Sequence, residues 1–401
     1  MKIGIYNLHM QARGGGEKKT LVMADHLSRT HRVWLFVNEA PDVESWEDYF
    51  RVDLSNVRIV VLDDDRQEAN RPVSRMDERR KVLARLFGHF RQIKRFGLDL
   101  FINNSFCSNL PCPAPLGIYM CMFPYTHPLS TPTVLRRAYR SVVDRLEERV
   151  LGCRVVDFLS SYATVTAVSH FTASWIDEMW HRNAEIIYSV CENMGPPAPK
   201  EKIILHVGRF IAVDGQLFKR QDVLLEVFQK LRDIQEQGWQ LCFVGSVAPD
   251  HQSTSVVESL KSAAAGLPVH FYFDVDFESL KGLYRRASLY WHATGYGVPS
   301  RQGPRAQEHF GNTTVEAMTA GAVPIVINSG GQNEIVDHGA DGFLWDDLSQ
   351  LAAYTTQLTA SQNLLTRMGD RALAASARFG RLTFNQRMDA IIAQLAQNKA
   401  A

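Results

Sequence analysis

The stretch from residue 308 to residue 331, EHFGNTTVEAMTAGAVPIVINSGG, admits few backbone paths. Gly311 permits a tight turn. After it, Asn312 or Thr313 is placed to cap a helix, and Thr313-x-x-Glu316 fits a capping box. Val315 and Met318, with the small residues Ala317, Ala320 and Gly321, give that helix a face for close packing on a sheet. Residues 323–327, VPIVI, form an apolar run of strand length. A helix followed at once by a buried strand predicts a parallel α/β layer, where ligands bind beyond the carboxyl ends of the strands. The N–H groups at the helix start are a ready anion site. Glu308 lies in the loop before the helix and Glu316 in its first turn. For Glu316 alone, a cap and a ligand contact are both open. For Glu308 alone, a solvated loop acid is the plainer reading.

The same alternation runs through both halves of the chain. Strand-like runs cover residues 2–8, 32–37, 57–62, 98–103, 116–123 and 162–169, then restart at 202–207, 240–244, 269–273 and 289–293. Residues 189–200 carry three prolines and Gly195, a composition shift that reads as a linker. The chain therefore divides into an N-terminal Rossmann-like domain (1–188), a C-terminal one (201–380) and a final helical segment (381–401), which suits a length of 401 residues. A formal net charge of +1 gives no global field for nucleic acid. No run of 18 apolar residues marks a membrane span, and MKIGIYNLHM reads as a strand rather than a leader. The six cysteines are scattered, with no C-x-x-C pair, so reduced thiols and a cytoplasmic setting are expected.

Several local patterns carry chemistry. After the first strand, Gly14, Gly15 and Gly16 precede a helical pattern, the layout that brings backbone N–H groups near a phosphate. The loop is not G-x-G-x-x-G, although Glu39 after the second strand leaves a dinucleotide reading open. Asp63, Asp64 and Asp65 resemble a metal cluster, but consecutive carboxylates converge poorly on one ion, and a solvated loop is the preferred reading. Gly208-Arg209-Phe210 follows one strand, and Lys219-Arg220-Gln221-Asp222 opens the next helix. Cations at a helix start oppose the dipole unless an anion binds there. Residues 76–97 and 135–150 are basic amphipathic helices, each readable as a solvated face on a sheet-packed helix or as a dock for an anionic membrane.

Taken together, E-x7-E with F-G inside it, the G-G-x-E loop and the G-R-x…K-x-Q-D pattern closely resemble family 4 retaining glycosyltransferases of the GT-B fold. The match is tight over residues 207–346 and looser before 169. The resemblance implies two Rossmann-like doubly wound domains facing a central cleft. It also implies hexose transfer from a nucleotide diphosphate sugar to a hydroxyl. Arg209 and Lys219 would clamp the diphosphate, Glu308 would face the sugar and Glu316 would hold the ribose. Gly15, Gly16, Gly245, Gly311, Asn312 and Thr313 would line the donor. Relatives place a histidine before F-P; here that residue is Met122, which leaves His127 as the candidate. No metal or other cofactor is expected. The spelling E-H-F-G matches mannosyltransferases that extend lipid-linked oligosaccharides, so GDP-mannose or a UDP-hexose is the expected donor. The expected acceptor is a glycan, a lipid-linked sugar or a small molecule. A GT-B epimerase or phosphorylase, a silent nucleotide-sugar-binding protein and a Rossmann dehydrogenase are the rival readings.

Overall fold

The computed structural model describes residues 1–11, 14–62, 75–125, 145 and 147–400. Two compact units emerge. The first comprises Met1–Tyr188 with Phe384–Ala401, and the second Ser189–Thr383.

The first unit is built on seven parallel strands: β1 (Lys2–Tyr6), β2 (Arg32–Val37), β3 (Val57–Val61), β4 (Leu100–Asn103), β5 (Leu116–Cys121), β6 (Thr164–Ala167) and β7 (Ala184–Ile186), ordered β3-β2-β1-β4-β5-β6-β7. The inner strands are buried on both faces, which is why they read as continuous apolar runs instead of alternating ones. The helix Arg75–Lys94 turns Leu86, Phe90 and Ile93 into the core while Arg85, Arg91 and Lys94 stay exposed. This is the sheet-packed arrangement. The side chains of Arg79, Arg80 and Lys81 lie outside the described residues, as do Asp63 to Asp65, His127 and Arg136, Arg137 and Arg140. The helix His170–Trp180 is capped by Ser169, whose Oγ accepts from the Thr172 N–H at 3.0 Å. Helix Arg381–Ala400 sends Phe384, Met388, Ile391, Ile392 and Leu395 inward at helical spacing. Its Asp389 meets His26 at 2.9 Å, and its Arg387 meets Glu185 and the Ile186 carbonyl.

The second unit carries β8 (Glu201–Val207), the hairpin strands β9 (Ala212–Val213) and β10 (Gln216–Leu217), then β11 (Gln240–Gly245), β12 (Val269–Phe273), β13 (Ala287–His292), β14 (Val323–Ile327) and β15 (Phe343–Trp345). Six of these form a parallel sheet ordered β12-β11-β8-β13-β14-β15. Asp250, Asp276, Asp347 and Ser361 each cap a helix by accepting a backbone N–H. The proline-rich segment read as a linker packs onto this unit. The Met194 N–H donates to Thr319 Oγ1 at 3.1 Å, and Lys200 Nζ donates to the carbonyls of Ala287 and Ala320 at 2.8 and 2.6 Å.

Candidate active site

The carboxyl ends of β8, β13 and β14 gather most of the candidate residues. The turn after β8 is held by the Gly208 N–H donating to the Val244 carbonyl at 2.9 Å and the Phe210 N–H to the Ser246 carbonyl at 2.8 Å. A Cβ on Gly245 would come within 2.2 Å of the Gly208 carbonyl oxygen, so the turns after β8 and β11 cross only because residue 245 is glycine. Arg209 sits between two fixed neighbours, exposed, and pairs with no described residue. Gln221, fully buried at the start of the helix Gln221–Lys230, reaches back to the carbonyls of Gly208 and Arg209 at 3.3 and 3.4 Å. Arg220 adopts φ +54 and forks onto Asp222 and the Tyr296 carbonyl. It is therefore a structural cation, while its neighbour Lys219 turns to the acid.

Lys219 Nζ donates to Glu308 Oε2 at 2.5 Å, and His292 Nε2 lies 3.2 Å from the same oxygen. Burial pushes the Glu308 carboxyl up, but the Lys219 charge and the His292 hydrogen bond outweigh it, holding the group well below the usual carboxylate range. Glu308 is thus an anion in a mostly dry place. Its loop is clamped from behind, with the Gly331 N–H donating to the Glu308 carbonyl at 2.8 Å. A Cβ on Gly331 would approach His309 O and Phe310 Cα at 2.6 Å each, and one on Gly330 would approach the Glu308 carbonyl at 2.2 Å. The Gly-Gly pair after β14 therefore exists to let the loop carrying Glu308 lie flat on it.

Gly311, with φ +122, is the N-cap of the helix Asn312–Thr319 and offers no side-chain cap. The expected capping box is absent for that reason: Thr313 and Glu316 stand inside the helix rather than at its boundary. Their side chains have other partners. The Tyr290 hydroxyl donates to Thr313 Oγ1 at 2.7 Å, and the Tyr284 hydroxyl to Glu316 Oε2 at 3.1 Å. Burial, reinforced by the Glu316 charge, drives the Tyr284 phenol upward, so it stays a donor. Cys191 Sγ contacts Asn312 Oδ1 at 3.7 Å.

Arg209, Lys219, Gly245, Glu308, Gly311, Asn312, Thr313 and Glu316 thus all belong to the second unit. Gly15 and Gly16 belong to the first, at the start of the helix Gly15–Ser28, where a Cβ on Gly16 would strike Met122 Cε at 2.6 Å. Among the described residues, no three His, Cys, Asp or Glu side chains converge as metal ligands. The sequence reading missed His292, Tyr284, Tyr290 and Gln332. Strand alternation was the available signal: Tyr290 and His292 fall on one face of β13, at its carboxyl end. Gln332 lies against Gly311 and accepts from Thr314 Oγ1 at 2.9 Å.

Two parallel doubly wound units of this kind are the GT-B architecture. Solved structures sharing it include Anabaena HepE in complex with UDP-glucose (TM-score 0.65, 17% identity, 98% of this chain and 100% of that one). Sucrose-phosphate synthase from Thermosynechococcus elongatus is another (TM-score 0.69, 16% identity, 99% and 100%). Residues 193–374, the segment that carries this site, match the model of the family described as glycosyl transferases group 1. Among curated proteins, the GDP-Man:Man(3)GlcNAc(2)-PP-Dol alpha-1,2-mannosyltransferase of Dictyostelium discoideum is 30% identical over 167 residues, 40% of this chain. The matched segment spans 30% of that relative's length.

Proposed function

We propose that the chain is a retaining hexosyltransferase that moves a sugar from a nucleoside diphosphate donor to an acceptor hydroxyl in glycan synthesis. The supporting observation is the Lys219–Glu308 contact at 2.5 Å, beside an exposed Arg209 that pairs with no described residue, within the segment that matches the family. In this reading the diphosphate lies against Arg209, Lys219 and the backbone N–H groups at the start of the helix Asn312–Thr319. Glu316 takes a ribose hydroxyl, and Glu308 faces the sugar ring. The bond between the anomeric carbon and the diphosphate oxygen breaks as the acceptor oxygen bonds to that carbon. The acceptor proton passes to the departing phosphate oxygen, on the same face. Charge accumulates on the diphosphate as the sugar leaves, and two cations placed there stabilise it more than they stabilise the bound donor.

This mechanism needs no divalent ion, because Arg209 and Lys219 supply the positive charge. Turnover that persists in EDTA supports that point, and turnover abolished by EDTA and restored by magnesium removes it. The likeness to a GDP-mannose-dependent enzyme favours GDP-mannose as donor and a lipid-linked sugar as acceptor. The test is direct. The protein is screened by thermal shift with GDP-mannose, UDP-glucose and the free diphosphates, then turned over with the stabilising donor while NMR reads the anomeric configuration of the product. Retained configuration supports the reading. Inversion removes the retaining mechanism, and absence of both stabilisation and turnover removes the transferase.

A further inference from the structure

His292 ends β13 with its ring sealed from solvent. Its Nε2 lies 3.2 Å from Glu308 Oε2 and 3.1 Å from Thr294 Oγ1, while its buried Nδ1 has no partner among the described residues. An ionised carboxylate only accepts hydrogen bonds, so the nitrogen facing it must carry the proton. A second proton on Nδ1 would be buried with nothing to receive it. Geometry therefore selects one neutral tautomer, Nε2–H, and burial keeps the ring uncharged at neutral pH. The two donors on Glu308 are thus unlike each other. Lys219 is a cation on a flexible stem, and in the proposed reaction it is also wanted by the diphosphate. His292 is a neutral donor on a buried strand, and among the described residues only the adjacent Thr294 hydroxyl competes for its proton.

We infer that His292 is the positioning residue for Glu308: its Nε2–H fixes Oε2 of the carboxylate so that Lys219 is free to turn to the donor diphosphate without Glu308 losing its orientation. This inference rests on the proposed transferase reading for its role in turnover, but its geometric content does not.

Two measurements test it. Histidine 15N NMR of the full chain at pH 7, with His292→Gln identifying the signal, is expected to show a neutral Nε2–H ring. An Nδ1–H tautomer or an imidazolium at pH 7 overturns the inference, whatever the enzyme does. Turnover of GDP-mannose and UDP-glucose then separates positioning from packing. His292→Leu is expected to lower kcat about 100-fold with KM nearly unchanged, the scale of misplacing a reacting group by about 1 Å. The acid limb of its pH profile should also move to higher pH, since Glu308 has lost a donor. His292→Gln keeps an N–H near the Nε2 position and is expected to restore most of kcat and the wild-type acid limb. Equal kcat in the wild type and the folded leucine variant, or no rescue by glutamine in a folded protein, overturns the role. If the wild type turns over neither donor, the transferase reading is what fails, and the tautomer still decides the anchor.

Discussion

In the proposed reaction Lys219 is asked to do two things. It stands at the mouth of a helix whose dipole repels a cation, and it spends its charge on Glu308 at 2.5 Å. Replacing Arg209 or Lys219 by alanine is expected to lower kcat/KM by about 2–4 kcal/mol each, the worth of one lost donor to a developing oxyanion. Steady-state kinetics on folded variants check this, and near wild-type efficiency in either rejects the clamp. The two glutamates should separate. Glu316→Gln is expected to weaken binding of the free nucleoside diphosphate, while Glu308→Gln leaves that binding in place and lowers turnover. Calorimetric titration with the diphosphate alone distinguishes them, and equal losses reject the distinction.

His206, on β8, carries a different expectation. Burial pushes its imidazole down to about 3, although its Nδ1–H donates to the Trp291 carbonyl at 2.9 Å. The unfolded chain therefore binds a proton that the folded chain refuses. The stability tied to the neutral ring is complete above the unfolded value near 6.5 and is lost as pH falls from there toward 3. His206→Asn keeps a donor near the Nδ1 position without the titration. It is expected to flatten the fall in urea-unfolding stability between about pH 6 and 4. An unchanged slope removes His206 as the cause.

At the scale of elements, the site is a loop laid on a glycine pair. Gly331→Ala introduces a methyl at 2.6 Å from backbone atoms of His309 and Phe310. It is expected to cost about 1–3 kcal/mol and to displace Glu308, lowering turnover as well as stability. Denaturant melts with kinetics at one temperature check both, and a neutral alanine would mean that the loop yields easily. These glycines stood in the sequence as punctuation after a strand; only the packed loop shows what they admit. The strands were legible because parallel sheets bury both faces and leave continuous apolar runs, as β14 and β5 do. The hairpin β9–β10 was not read, although Asp214 and Gly215 both take positive φ and Asp-Gly is its short-range signal. The helices Leu348–Thr359 and Gln362–Ser376 were also missed, their caps at Asp347 and Ser361 hidden among ordinary polar residues. His292 was hidden for another reason: one histidine closing an apolar strand looks like any core histidine until its partner from residue 308 arrives.

At the scale of the molecule, no helix among the described residues is long and apolar enough to cross a membrane. The exposed Arg85, Arg91 and Lys94, with Arg145 and Arg149, nonetheless leave basic surface on the first unit. We propose reversible docking of that unit on anionic lipid, each basic residue contributing about 1 kcal/mol and salt weakening the contact. Co-sedimentation should favour anionic over neutral vesicles at low salt and lose the preference at high salt. Equal, negligible binding to both vesicle types would remove the proposal. Met388, fully buried in the first unit, supplies a stability test there: Met388→Ala is expected to cost about 2–5 kcal/mol. Melts of the folded variant check it, and a change below about 1 kcal/mol would show that the helix contributes little.

That helix has one more implication, for the order of events on the ribosome. Domains made as continuous stretches tend to fold in the order in which they emerge. Here residues 1–188 leave the exit tunnel before the second unit, yet the helix bearing the buried Phe384, Met388 and Ile391, which belongs to the same unit as they do, follows that whole second unit. The unit begun earlier is therefore the one finished last, and for some 195 residues of synthesis, about 10–40 s at ordinary elongation rates, it must wait for its last helix.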